Sequence, residues 1–131
     1  MFSNNKRNDF DKPPPLMLFL PTEPINDSYR ATRGGWSDIL ELHCNKCDEY
    51  VMTYQKDGEG PLKRCYLDRI LHPAQLKELQ NKEFDINTFE KLQCVNCHHE
   101  IAVPMMYEKE MRPAFRITQD NSYFHTVKPK V

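Results

Sequence analysis

The chain lacks a net field: 18 lysines and arginines stand against 19 aspartates and glutamates, leaving a formal charge of −1 at pH 7. No global attraction therefore draws it to a phosphate backbone or an anionic membrane, and any charged partner must be met by a local patch. A long apolar run is also missing. The longest near the N-terminus, Leu16 to Leu20, falls far short of the roughly 20 residues that span a bilayer, so no membrane insertion is expected. The first residues, Met1 to Arg7, are polar and lead to no apolar core of a secretory signal, which predicts a cytoplasmic location. Nor is there a phosphate-binding glycine loop or a nucleophile elbow, and the acid–base candidates His72, Asp68 and Glu108 are scattered without a motif. A non-catalytic protein is the expectation. At 39% the hydrophobic content is modest for a chain of 131 residues, so the core is expected to need help.

That help is legible in the cysteines. Their number is odd, five, but four form two C-x2-C pairs, Cys44-Asn45-Lys46-Cys47 and Cys94-Val95-Asn96-Cys97. This suits metal ligation better than a disulfide framework. A shift of 50 residues superimposes Leu42 on Leu92, Cys44 on Cys94, Cys47 on Cys97 and Val51 on Ile101, so each copy reads as strand, knuckle, strand. Zinc takes thiolates tetrahedrally, and two intervening residues let one tight turn aim both sulfurs at one ion. The prediction is one structural Zn2+ held by Cys44, Cys47, Cys94 and Cys97, worth about 10–16 kcal/mol of binding energy. Four thiolates leave no position for water, which argues against hydrolysis at this metal. A rubredoxin-like iron electron carrier is the alternative, because tetrahedral S4 suits both ions. His43, His98 and His99 flank the knuckles as alternative ligands, but a turn that aims two cysteines at one ion points its neighbours away, so His98 or His99 is expected instead to support the ligands or face solvent. The fifth cysteine, Cys65, is expected to be a buried apolar thiol.

The 46 residues between Cys47 and Cys94 exceed the common interval of about 15–20, so a further unit must fold out between the hairpins. Asp57-Gly58-Glu59-Gly60-Pro61 is a turn. Leu62 to Leu71 carries apolar residues at a helical period, although Cys65-Tyr66 could equally continue a strand. Pro73 opens a second helical stretch to Gln80. Beyond the second knuckle Ile101 to Tyr107 reads as a strand whose Pro104 points to an edge or bulge position, and Ala114 to Thr118 alternates as a final strand.

These knuckles and their strands, residues 38–55 and 89–107, resemble the zinc-ribbon superfamily, in which two knuckle-bearing hairpins clasp one zinc. Ribbon knuckles often place glycine after the second cysteine, where a left-handed backbone is easy; Asp48 and His98 stand there, both tolerant of that conformation. The stretch from Tyr54 to Gly58 and on through Pro61 to Arg64 is similar to short uncharacterised bacterial zinc-ribbon proteins, which implies a family and no activity. The expected fold is a small β-rich α+β domain: antiparallel hairpins bearing two knuckles, with one or two short inserted helices.

Three regions are expected: a Pro-rich extended arm over 1–35, closed by Gly34-Gly35, the zinc-ribbon-like domain over 36–127, and a basic tail over 128–131. Inside the arm, Leu16, Met17, Leu18, Phe19 and Leu20 form an apolar patch suited to docking on a protein partner. An interaction module, or a small subunit of a larger complex, is the leading functional expectation. The alternative is RNA or single-stranded DNA, with Lys56, Lys63, Arg64, Arg69, Arg112, Arg116, Lys128 and Lys130 on phosphates and Phe115 on bases.

Overall fold

The computed structural model describes residues 23–119 and, as backbone, 124–127. The apolar patch at 16–20 and the tail with Lys128 and Lys130 lie outside the described residues. Eight strands follow in chain order: β1 (Ser37–His43), β2 (Tyr50–Asp57), β3 (Arg64–Tyr66), β4 (Ile70–His72), β5 (Leu92–Gln93), β6 (Glu100–Tyr107), β7 (Arg112–Ile117) and β8 (Phe124–Val127). Two short helices accompany them, α1 (Ser28–Thr32) ahead of β1 and α2 (Ala74–Lys77) between β4 and β5. The domain is small, β-rich and antiparallel.

Two four-stranded sheets form, in the orders β4-β2-β1-β8 and β3-β7-β6-β5. The chain passes between them at β2 to β3, β3 to β4, β4 to β5 and β7 to β8, so neither sheet is one contiguous piece of sequence. Both feed a single apolar core: Leu40, Leu42, Met52, Tyr54 and Ile70 come from the first, and Cys65, Leu92, Ile101, Ala102 and Phe115 from the second. Full burial of each large aliphatic side chain contributes about 1.5–3 kcal/mol. Leu40 and Leu42 share a face of β1 by the two-residue repeat, as their alternation predicts. Pro104 sits past the end of β5, whose pairing stops at Ala102, so β6 has only β7 beside it there. A missing N–H costs little at such a site.

Two expectations are corrected. The stretch from Leu62 to Leu71 is not a helix: it is β3, one 3-10 turn over Leu67–Arg69, then β4. Leu62, Cys65, Tyr66, Leu67, Ile70 and Leu71 are all buried, because the segment threads from one sheet to the other and back. Its apolar spacing therefore serves two surfaces in turn, not one helical face.

The described part of the arm, residues 23–35, is not extended either. Asp27 caps α1 by accepting a hydrogen bond from the Arg30 N–H at 3.1 Å. Gly34 and Gly35, at φ of +110° and +79°, end the helix with bonds from their N–H groups to the carbonyls of Ala31 and Arg30. Contacts run across this glycine pair. The fully buried Gln55 amide pairs with both backbone groups of Ile25, accepting from its N–H and donating to its carbonyl, each at 2.9 Å. One side chain on β2 thus reproduces the pairing that a neighbouring strand would supply. No helix among the described residues is long and apolar enough to cross a membrane.

Candidate metal centre

The 50-residue repeat survives in the backbone down to single hydrogen bonds. In the first hairpin Leu42 faces Met52 and His43 faces Tyr50 across a register shift; in the second Leu92 faces Ala102 and Gln93 faces Glu100 across the same shift. Cys44 N–H donates to the Glu49 carbonyl and Asp48 N–H to the Cys44 carbonyl. Cys94 N–H donates to the His99 carbonyl and His98 N–H to the Cys94 carbonyl, and all four bonds are 2.9 Å. Asp48 and His98 take φ of 66° and 65°, the left-handed turn expected of them.

Each knuckle also aims amides at its first sulfur: Lys46 N–H at Cys44 Sγ (3.4 Å), and Asn96 and Cys97 N–H at Cys94 Sγ (3.3 and 3.5 Å). Such donors favour thiolate over thiol.

The knuckles bring Cys44, Cys47, Cys94 and Cys97 together with all four sulfurs within 4.8 Å of one another. Across the two pairs the Cys44–Cys97 separation is 3.6 Å and the Cys47–Cys94 separation 3.4 Å. Tetrahedral zinc with bonds of about 2.3 Å has sulfur edges of about 3.8 Å. The donor set and its spacing therefore fit one tetrahedral ion. Cys44 and Cys94 are buried and Cys97 is exposed, so the centre opens to solvent along one edge.

Partial burial opposes ionisation of Cys47, but a hydrogen bond with Asn96, the backbone at Glu49 and the neighbouring thiols bring its pKa down to about 7. Among the described residues no histidine enters the cluster. His43 turns back along its own hairpin, Nδ1 on the Asp48 carbonyl at 2.9 Å and Nε2 on Glu41 Oε1 at 2.6 Å. Cys65 is fully buried, and burial pushes its thiol up to about 12.

The nine candidate contact residues part company. Lys63 and Arg116 are exposed, Lys56 and Arg64 half-buried. Arg69, Arg112 and Phe115 are interior, at 1%, 3% and 2% exposure, and offer nothing to an outside partner. Phe115 belongs to the core shared by the sheets.

The two buried arginines belong to a charge network that sequence reasoning missed. Arg69 bonds to Asp27 (2.6 Å) and Asp57 (2.9 Å), and Arg112 to Asp68 (2.7 Å) and Glu110 (3.1 Å). Glu110 in turn accepts from Arg33 at 2.9 Å. The Arg112 guanidinium lies between the rings of Tyr29 and Tyr66, 4.0 and 3.8 Å from their centroids. Burial works to raise the carboxyls of Asp27 and Glu110, but their arginine partners overcome it and hold both below the usual range. The network ties α1, both sheets and the β3–β4 turn together. Its one trace in the sequence is the adjacent pair Asp68-Arg69 inside an otherwise apolar stretch.

Compared with known proteins, the chain matches no protein-family model, no curated protein and no solved structure.

Proposed function

We propose that this chain is a non-catalytic binding module, held together by one structural zinc ion of zinc-ribbon character, that acts on a protein partner in the cytoplasm. One observation carries the reading: the two cysteine pairs come from hairpins in different sheets and bring four sulfurs within 4.8 Å of one another, a spacing that suits one tetrahedral ion. Cys44 and Cys47 lie between β1 and β2, Cys94 and Cys97 between β5 and β6. An ion bound there would staple sheet to sheet. The shell has no vacant position for water or substrate, so the metal's role is mechanical. Reduced thiols suit a reducing compartment.

A protein partner is favoured over nucleic acid because burial removes Arg69, Arg112 and Phe115 from the basic, aromatic surface that stacking and phosphate contacts would use. The test is affinity capture of the tagged, metal-loaded protein with and without nuclease. Specific proteins recovered under both conditions support the module, whereas capture abolished by nuclease transfers the reading to nucleic acid. Metal analysis should return one zinc per chain and a colourless solution; visible thiolate-to-iron absorption would instead identify an electron carrier.

A further inference from the structure

Beside the charge network lies a small open cavity of about 160 Å³, walled by the end of α1, the end of β2 and the link from β2 to β3. Its walls carry four cations, Arg33, Lys56, Lys63 and Arg64, and two carboxylates, Asp57 and Glu59. Asp57 is already engaged by Arg69 at 2.9 Å, and Arg33 by Glu110. Among the described residues, Lys56, Lys63 and Arg64 have no carboxylate within ion-pair distance. Three uncompensated cations therefore face one uncompensated carboxylate, Glu59, in a chain whose overall charge is −1.

The cations also converge. Arg33 Nη2 and Arg64 Nη1 both donate to the Tyr66 hydroxyl oxygen, each at 3.1 Å. That oxygen accepts twice, while its own proton finds no acceptor among the described residues. Glu110 already serves Arg33 as its counter-ion through both guanidinium nitrogens, so the Arg64 guanidinium and the Tyr66 proton are the groups at this corner that lack an anionic or accepting partner, and a phenol proton without an acceptor is a donor awaiting one. Arg64 is further fixed by the Tyr107 ring, 4.3 Å from its guanidinium carbon.

The loop is shaped for this approach. Gly58 has φ of +76°, and a Cβ there would fall 2.5 Å from the Arg33 carbonyl oxygen, so only glycine brings the loop against α1.

We propose that this cavity binds a single phosphoryl group, a phosphate monoester in its dianionic form. The Arg64 guanidinium fork, an ammonium and the Tyr66 hydroxyl match a tetrahedral oxyanion. The volume is well below the roughly 300–1,000 Å³ of pockets for drug-sized ligands, so it takes the phosphoryl group and leaves the rest of the ligand outside. The excess of positive charge favours a monoester dianion over the single charge of a phosphodiester. In the binding-module reading, on which this rests only for the nature of the carrier, the phosphoryl group would arrive on a modified side chain of the partner.

The experiment is a nuclear magnetic resonance titration of the full-length zinc-loaded protein with inorganic phosphate, O-phosphoserine, a phosphoserine peptide and an unphosphorylated copy of that peptide. Saturable shifts at the amides of Gly58, Gly60, Lys63 and Arg64 are expected with every phosphorylated probe and with none lacking phosphate. Lys63→Glu, an exposed position, should weaken binding about tenfold or more, and Lys63→Arg should retain it. Tighter binding of the phosphopeptide than of O-phosphoserine identifies a protein carrier; equal binding identifies a small phosphate ester. Shifts that are absent, that do not saturate or that persist in Lys63→Glu overturn the proposal. Capture of a partner undiminished by Lys63→Glu would overturn this cavity as the contact while leaving the module reading intact.

Discussion

Arg69 and Asp57 meet at 2.9 Å with side chains 1% and 4% exposed, an ion pair almost entirely withdrawn from water. Removing Arg69 strands the buried Asp57 carboxylate, while removing the Asp57 charge leaves Arg69 only its partners at the rim, Asp27 and Asp68. Arg69→Met or Asp57→Asn should each destabilise the domain by about 3–5 kcal/mol, measured by urea unfolding. The double replacement should cost less than the two singles added together, because no charge is left at the buried Asp57 position and only the partly exposed Asp27 loses its arginine.

Metal removal should loosen the whole domain. An ion linking one sheet to the other acts on every core contact between them, and structural zinc contributes about 10–16 kcal/mol of binding energy, as much as an entire small domain holds. Chelation, or Cys94→Ser, is expected to lower the thermal midpoint and abolish the near-ultraviolet circular dichroism of the buried tyrosines. An unchanged midpoint on complete zinc removal would refute a structural role.

Acid should weaken the charge network in a defined direction. Asp27 and Glu110 have folded-state pKa values held below their unfolded ones, so their contribution is fully present above the unfolded carboxylate range, about 3.9–4.3. It is lost as pH falls through the depressed folded values. Stability followed by chemical unfolding should decline below about pH 4.5, and Glu110→Gln should flatten that decline while lowering stability at neutral pH.

The left-handed turns at Asp48 and His98 predict opposite effects of two substitutions at one site. Asp48→Gly removes the Cβ conflict and should be neutral or stabilising, while Asp48→Val should cost about 1–2 kcal/mol with weakened zinc affinity. Equal behaviour of the two variants would show that the turn relaxes to another conformation.

Cys65 should resist alkylation in the native protein. Its thiol is fully buried with a pKa pushed up to about 12, and thiolate is the reacting form. Mass spectrometry after brief iodoacetamide treatment of the zinc-loaded protein should find it unmodified, with labelling only on unfolding.

The four-cysteine cluster was legible because each knuckle is a local event: four residues make the turn, and the shift of 50 repeats the flanking apolar positions. Asp48 and His98 could be placed for the same reason. The topology was not legible. β3 and β4 are three residues each, and the rule that apolar period reports one face fails for Leu62 to Leu71, which packs on two sheets in succession. Prolines at 21 and 24 hid α1, although Asp27 is a good cap. Arg69, Arg112 and Phe115 looked like a contact surface because sequence gives charge and aromaticity without the carboxylates and core that enclose them. Asp57 lies 12 residues from Arg69, and Glu110 lies 77 from Arg33.

A bound ion on Cys44, Cys47, Cys94 and Cys97 would close the intervening chain into a ring, with α2 and a run of exposed residues from 80 to 83 and 85 to 88 on its far side. Cleavage of one peptide bond in that run would open the covalent chain without separating its halves, since the metal and the strand pairing span the cut. Such a nicked protein should elute as a single species until chelator and denaturant are added, then fall into two fragments, one per knuckle. Continuity of the backbone and continuity of the molecule would thus be separate properties in this protein.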